Sequence, residues 1–266
     1  MISLRQTFML EKGGVVSIVG AGGKTTLMYR LARELAEAGE SVLTTTTTKI
    51  LKPEKDQAAH FIFARSIAEI VKRAGELPVN HPHLCASLEQ IEPNGKTKGF
   101  PPEWIDELMQ SGVFQWIIVE ADGAARKPLK APAEYEPVVA QTTKWMVGVI
   151  GLDAIQKPFG EEWVFRPELF RILTGLSRGE PITAEAVAKA ITHKNGLMKG
   201  CPLSAKRILF LNKADLNGAL GQGRRVIACL QKEAKGNPDR VVIGQVCEVV
   251  PVLEYMDLIS VNGCYR

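Results

Sequence analysis

No stretch of eighteen apolar residues occurs in this chain, nor any block of five like charges, nor any C-x-x-C pair. The first absence excludes an ordinary membrane-spanning helix. The second, with a net charge of only +4 over 266 residues, removes the electrostatic footprint of a nucleic-acid binder. The third removes zinc-ribbon and dithiol redox motifs. The odd set Cys85, Cys201, Cys229, Cys247 and Cys264 suits reduced thiols better than a disulfide framework. Met1-Ile2-Ser3-Leu4-Arg5 lacks the design of a secretory signal, so a cytoplasmic protein is expected. Histidine is scarce as well: His60, His81, His83 and His193. His81-Pro82-His83 with Cys85 can be imagined as a metal cluster, but a polar loop around Pro82 is the simpler expectation.

What is present is a repeated alternation. Short apolar runs at 15–19, 41–46, 60–63, 116–120, 146–151, 207–211 and 241–243 read as strands, several of them apolar on both faces. Between them, Ile67, Ile70, Val71 and Ala74 fall at helical spacing, as do Val226, Ile227, Leu230 and Ala234. Repeated βα units predict an α/β fold: a three-layer, mostly parallel sheet with helices on both faces and ligands at the carboxyl ends of its strands. The stretch 155–202 breaks the rhythm, with helix-like pieces at 167–173 and 183–191 and no convincing strand. It reads as a helical insertion in a single domain spanning 1–266, with ordinary crossover helices as the alternative.

The first strand, Val15-Val16-Ser17-Ile18-Val19, runs into Gly20-Ala21-Gly22-Gly23-Lys24-Thr25-Thr26. Leu27, Leu31 and Leu35 follow at helical spacing. Strand, glycine turn with Lys-Thr, helix is the context of a phosphate-binding P-loop, which makes the fold P-loop NTPase-like. Gly20, Gly22 and Gly23 let backbone N–H groups converge, and the helix N-terminus adds partial positive charge. Lys24 is expected to reach the β/γ-phosphates of a nucleotide, Thr25 to sit on Mg²⁺ and Thr26 to complete the turn. Ile18 stands where the longer pattern wants its first glycine, leaving the shorter G-x-x-G-K-T.

Two further segments sit at strand ends. The run 207–211 leads into Asn212-Lys213-Ala214-Asp215, the N-K-x-D pattern of guanine readers. A carboxylate at Asp215 accepts two hydrogen bonds from the guanine N1–H and N2–H₂, a donor pair adenine lacks, which favours GTP over ATP. Lys213 would pack along the base, and Asn212 would tie the loop to the P-loop. The competing reading is a polar turn in which Asp215 caps the next helix. The run 116–119 places Glu120 at the end of its strand, with Asp122 and Gly123 just beyond. Either acid can hold Mg²⁺ while the other orients a water or a second ligand; Asp122 is the first choice for the metal side. Arg126, Lys127 and Lys130 follow at once; Arg126 is a candidate to stabilise transferred charge, with a solvated basic turn as the alternative. Thr44 through Thr48 can offer hydroxyls to phosphate or Mg²⁺, or simply extend a β-branched strand. Asp153, Arg166 and His193 are weaker candidates for the same edge, and Cys201 is expected to be a buried thiol.

Taken together, 18–26, 44–49, 119–132, Gly151-Leu152-Asp153-Ala154, Arg166-Pro167-Glu168 and 212–215 resemble the YqeC-like family. Its members are described as accessory proteins of selenium-dependent molybdenum hydroxylases. The resemblance implies a P-loop NTPase that helps mature a molybdenum–selenium enzyme, partnered by that hydroxylase or its cofactor-maturation proteins. Three activities fit the residues: a GTP-hydrolysing maturation factor, an ATP- or GTP-dependent kinase or ligase acting on a small molecule, and a nucleotide-gated binding module.

Overall fold

The computed structural model describes residues 2–78, 82–91, 95–233 and 235–258. Their strands are Gly14–Gly20 (β1), Val42–Thr46 (β2), Lys49–Leu51 (β3), Phe61–Phe63 (β4), His83–Ser87 (β5), Glu89–Ile91 (β6) and Lys96–Lys98 (β7). Trp116–Glu120 (β8), Leu129–Lys130 (β9), Thr143–Gly151 (β10), Val164–Phe165 (β11), Lys206–Asn212 (β12), Arg240–Gly244 (β13) and Val252–Asp257 (β14) follow. The helices are Leu4–Thr7 (α1), Lys24–Glu37 (α2), Ile67–Ala74 (α3), Pro102–Gln110 (α4), Pro167–Thr174 (α5), Ala184–Thr192 (α6) and Ala219–Leu230 (α7). No helix among the described residues is long and apolar enough to cross a membrane.

Nine strands form one sheet in the order β14-β13-β12-β10-β1-β8-β2-β5-β4. Every pairing in it is parallel except β13 with β14. The central strands are apolar on both faces because both faces are covered. Val16 and Ile18 of β1, Ile118 of β8 and Phe210 of β12 pack under α1 and α2. Val15 of β1 and Leu43, Ile117 and Val119 of the neighbouring strands face α3 and α4. Met146, Leu209 and Val241 are covered by α6 and α7. The result is the three-layer, P-loop NTPase-like α/β architecture expected from the alternation. Each of the seven expected strands is present.

The departures have physical causes. His83 and Cys85, read from the sequence as part of a polar loop around Pro82, instead belong to β5, whose Leu84, Cys85, Ala86 and Ser87 are buried in the sheet. These residue types have weak strand preference, and burial between β2 and β4 overrides it. His81 lies outside the described residues, as do Cys264 and Ala234. The antiparallel edge strand β14 went unrecognised, and β10 begins at Thr143, three residues before its expected start. The threonine run does not continue β2 throughout: β2 ends at Thr46, and Thr47 and Thr48 turn into β3. That strand belongs to a separate antiparallel sheet, β3-β7-β6.

The segment 155–202 joins β10 to β12, and its helices α5 and α6 share one apolar cluster with both strands through Phe170, Val187 and Ile191. It also contains β11, which pairs in parallel with β9.

Candidate functional site

Three glycines shape the turn after β1. Gly20, Gly22 and Gly23 have φ of +93°, +84° and +133°, values that strain any side chain. Space is also short. A Cβ on Gly22 would stand 2.3 Å from the Gly151 nitrogen, and one on Gly23 would stand 2.2 Å from Nδ2 of Asn212. The turn delivers the chain into α2 with Gly23 as N-cap and no capping side chain. The amides of Gly22, Gly23, Lys24, Thr25 and Thr26 therefore donate to no acceptor among the described residues. Five consecutive free donors at the start of a fourteen-residue helix form an anion-attracting concavity.

Lys24 and Thr25 meet the two acids. Register places Glu120 beside Ile18 on the adjacent strand, two residues before Gly20. Thr25 donates its hydroxyl to Glu120 Oε2 at 2.7 Å. The Lys24 ammonium lies 3.3 Å from Glu120 Oε1 and 2.5 Å from Asp122 Oδ1, and also donates to the Asp122 carbonyl. Asp122 accepts from the Gly20 amide at 3.0 and 3.1 Å. All three charged side chains are buried. Burial alone would lower the Lys24 pKa, but the carboxylates of Asp122 and Glu120 outweigh it and hold it above the ordinary lysine value.

The charge chain continues away from the loop. Lys130 lies 2.9 Å from Asp122 Oδ2 and 2.7 Å from Glu136 Oε2, with its side chain almost wholly enclosed. Arg166 closes the chain on Glu136, bonding Oε2 through Nη1 and Oε1 through Nη2 at 3.2 Å. Burial works against the Glu136 carboxylate, yet Arg166 and Lys130 depress its pKa to about 2. Lys24, Asp122, Lys130, Glu136 and Arg166 thus alternate in sign from the glycine turn to the protein surface. Glu136 carries no motif around it and was not anticipated; an X-Pro dipeptide, Glu136-Pro137, is its sole local mark.

At the end of β12, Asn212 donates to the Gly22 carbonyl at 2.8 Å and accepts from the Val246 amide at 3.0 Å. It joins the two loops as the pattern implied. Lys213, with φ of +68°, pairs with Asp153 Oδ2 at 2.6 Å and so ties in the loop after β10. Asp215 is exposed, with no hydrogen bond or ion pair among the described residues. It does not cap α7, whose N-cap is Gly218.

Other candidates fall elsewhere. Arg126 is exposed with φ of +59°; the cation that reaches Asp122 from that turn is Lys130. Thr26 is exposed on α2 beside the free amides. Four of the five threonine hydroxyls are committed to protein partners: Thr44 to His83, Thr45 to Ala86 O, Thr46 to Glu120 O and Thr47 to Val138 O. Burial, helped by His60 and Arg33, lowers the His83 pKa to about 4, and Cys85 packs against the Tyr29 hydroxyl. His193 caps its own turn by accepting from the Asn195 amide. The Cys201 thiol is half-buried, and burial raises its pKa.

Comparison with known proteins places these features in a lineage. The family model for YqeC protein matches residues 16–168, more than half of the chain. That span holds the glycine turn, both acids, Lys130, Glu136 and Arg166; 212–215 lies outside it. The uncharacterized protein YqeC of Escherichia coli (strain K12) is 33% identical over 199 residues, which cover 75% of each chain. The chain belongs to the YqeC family.

Proposed function

We propose that this protein is a Mg²⁺-dependent nucleoside-triphosphatase with a preference for GTP, acting as an accessory factor in the maturation of a selenium-dependent molybdenum hydroxylase. The observation that carries the nucleotide reading is the row of free amides from Gly22 to Thr26 at the start of α2, beside a buried lysine and a hydroxyl–carboxylate pair. That combination fits a triphosphate and its cation. Thr25 Oγ1 and Glu120 Oε2 are hard oxygen donors already in contact, which suits Mg²⁺. When bound, Mg²⁺ would neutralise charge on the phosphate oxygens.

The chain's own residues then divide the work. Lys24 exchanges the Asp122 carboxylate for phosphate oxygens. Asp122 keeps Lys130 and the Gly20 amide, so the exchange does not strand a buried charge. Freed from Lys24, an Asp122 oxygen is the acceptor that orients an attacking water. Asp215, exposed and unpartnered, offers both carboxylate oxygens to the guanine edge, while Asn212 keeps its loop fixed to Gly22. The maturation role rests on the family resemblance, and hydroxylase activity in cells carrying Lys24→Ala tests it.

Titration calorimetry with non-hydrolysable GTP and ATP analogues, with and without Mg²⁺, tests the nucleotide reading. Magnesium-dependent binding of the GTP analogue alone supports it. Preference for the ATP analogue demotes Asp215, and binding of neither refutes the phosphate role of the glycine turn. A second reading, transfer to a small-molecule acceptor, is favoured by one observation: an open groove on the other side of the acids.

A further inference from the structure

Ala121, between Glu120 and Asp122, borders a groove of about 610 Å³ that hydrolysis does not require. Its size is that of a small-molecule site. It lies at the carboxyl ends of β2 and β8, where α/β sheets hold ligands. The nucleotide base does not reach it on the proposed reading. The loop 212–215 follows β12, two strands from β1 on the β10 side, whereas the groove lies on the β8 and β2 side.

The groove wall carries an electrostatic anomaly. Lys49 of β3 and Lys98 of β7 are directly paired in register, and both line the groove. Like charges opposite one another across a strand pair oppose the pairing. Lys49 has no carboxylate partner among the described residues, and Lys98 has only the exposed Glu89 at 3.3 Å, a weak contact. On the facing wall Glu136 brings no free negative charge, because Lys130 and Arg166 already neutralise it. Beside it the Tyr135 ring is 73% exposed yet held, with the Arg166 guanidinium 5.8 Å from its centroid and bonded to its hydroxyl at 3.3 Å. Phe100 adds an apolar floor. Lys49, without a carboxylate partner among the described residues, Lys98, paired only with Glu89, and the Tyr135 ring line one groove, a combination that suits an anion with a flat body.

We propose that this groove binds a second, anionic small molecule beside the nucleotide, with a carboxylate or phosphate group held by Lys49 and Lys98 and a planar part on Tyr135. Through Glu136 and Lys130 its occupant would sit two ion pairs from Asp122. The inference rests on the second reading, transfer to a small-molecule acceptor, and names the class of that acceptor; Lys49 and Lys98 lie apart from the glycine turn, so the groove and the nucleotide reading fail separately.

The probe is 1-anilinonaphthalene-8-sulfonate, an anion with a flat naphthalene body whose fluorescence rises on binding. Saturable binding to the wild-type chain is expected, weakened at least about tenfold by Lys49→Glu with Lys98→Glu and also by Tyr135→Ala. Both lysine side chains are exposed, so folding is retained and circular dichroism checks it. The dye is expected to remain bound under saturating GTP analogue. No saturable binding, indifference to charge reversal, or displacement by the nucleotide overturns the proposal. Absence of nucleotide binding in calorimetry would sink the P-loop reading while the charge-reversal result still decides the groove.

Discussion

Replacing Lys24 by Met keeps the aliphatic stem and removes the charge. The ammonium is 3% exposed, between carboxylates that are 3% and 6% exposed. Removing one member of a buried ion pair typically costs about 3–5 kcal/mol, because the other charge is left uncompensated. Here Asp122 retains Lys130 and the Gly20 amide, and Glu120 retains the Thr25 hydroxyl, so the low end, about 3 kcal/mol, is expected. With a urea m-value of about 3 kcal/mol/M, the unfolding midpoint falls by about 1 M. The assay is urea denaturation followed by tryptophan fluorescence, without nucleotide and then with Mg²⁺ and a GTP analogue at a hundredfold excess over Kd. The wild type should gain about 2.7 kcal/mol from that ligand and the variant almost nothing. Two results refute the reasoning. An unchanged midpoint without nucleotide means Lys24 is not in a buried pair. An equal ligand-induced gain in both proteins means Lys24 does not hold phosphate. A double-mutant cycle with Asp122→Asn should show coupling of about 0.5–3 kcal/mol; strict additivity would deny the 2.5 Å contact.

Asp215→Asn should weaken GTP and strengthen xanthosine triphosphate by about tenfold or more, since the amide donates where xanthine carries an oxygen; unchanged base preference in competition binding would reduce 212–215 to a turn. Glu136 supplies a pH dependence. Its folded pKa is depressed to about 2 from an ordinary 4.5, so its contribution is present above 4.5 and is lost as pH falls toward 2. Discounted for solvent screening, the loss is about 1–3 kcal/mol, and urea midpoints down an acid series should fall less steeply in Glu136→Gln. Glu120→Gln should raise the Mg²⁺ concentration needed for half-maximal hydrolysis, whereas Asp122→Asn should lower kcat at saturating Mg²⁺; the reverse pattern would exchange the roles of the two acids.

Strands buried on both faces were legible in the sequence: β1 and β8 carry Val and Ile runs, and β12 carries the unbroken apolar run Ile208-Leu209-Phe210-Leu211. β5 was not, because His, Leu, Cys, Ala and Ser say nothing local about a strand and only the neighbours β2 and β4 make one of them. The same distinction governs the site. Lys24, Thr25 and Asn212 sit in patterns fixed by backbone geometry, with glycines at positive φ and a strand end, and such patterns survive as short words in sequence. Glu136 and Arg166 act at separations of 6 and 30 residues from their partners, through charge alone, and charge pairing leaves no spacing rule to read. The sequence puts Asp122 only narrowly ahead of Glu120 as the metal-side acid. Contact with Thr25 favours Glu120 instead, and that contact depends on the register of β8 against β1.

On the proposed readings, strand order gives two ligands separate approaches to one centre. β1 stands near the middle of the sheet, with β10 and then β12 on one side and β8 and then β2 on the other. Neighbouring strands are about 4.8 Å apart, so the loops after β12 and after β2 each lie about 10 Å from the glycine turn, in opposite directions. A base read by the first and an anion gripped beside the second would meet only at the carboxyl ends of β1 and β8, where Lys24, Glu120 and Asp122 are packed. A chain serving hydrolysis alone has no use for the far side of that arrangement. The paired lysines there, unopposed by any described carboxylate but Glu89, are what a co-substrate would require and what folding alone would disfavour.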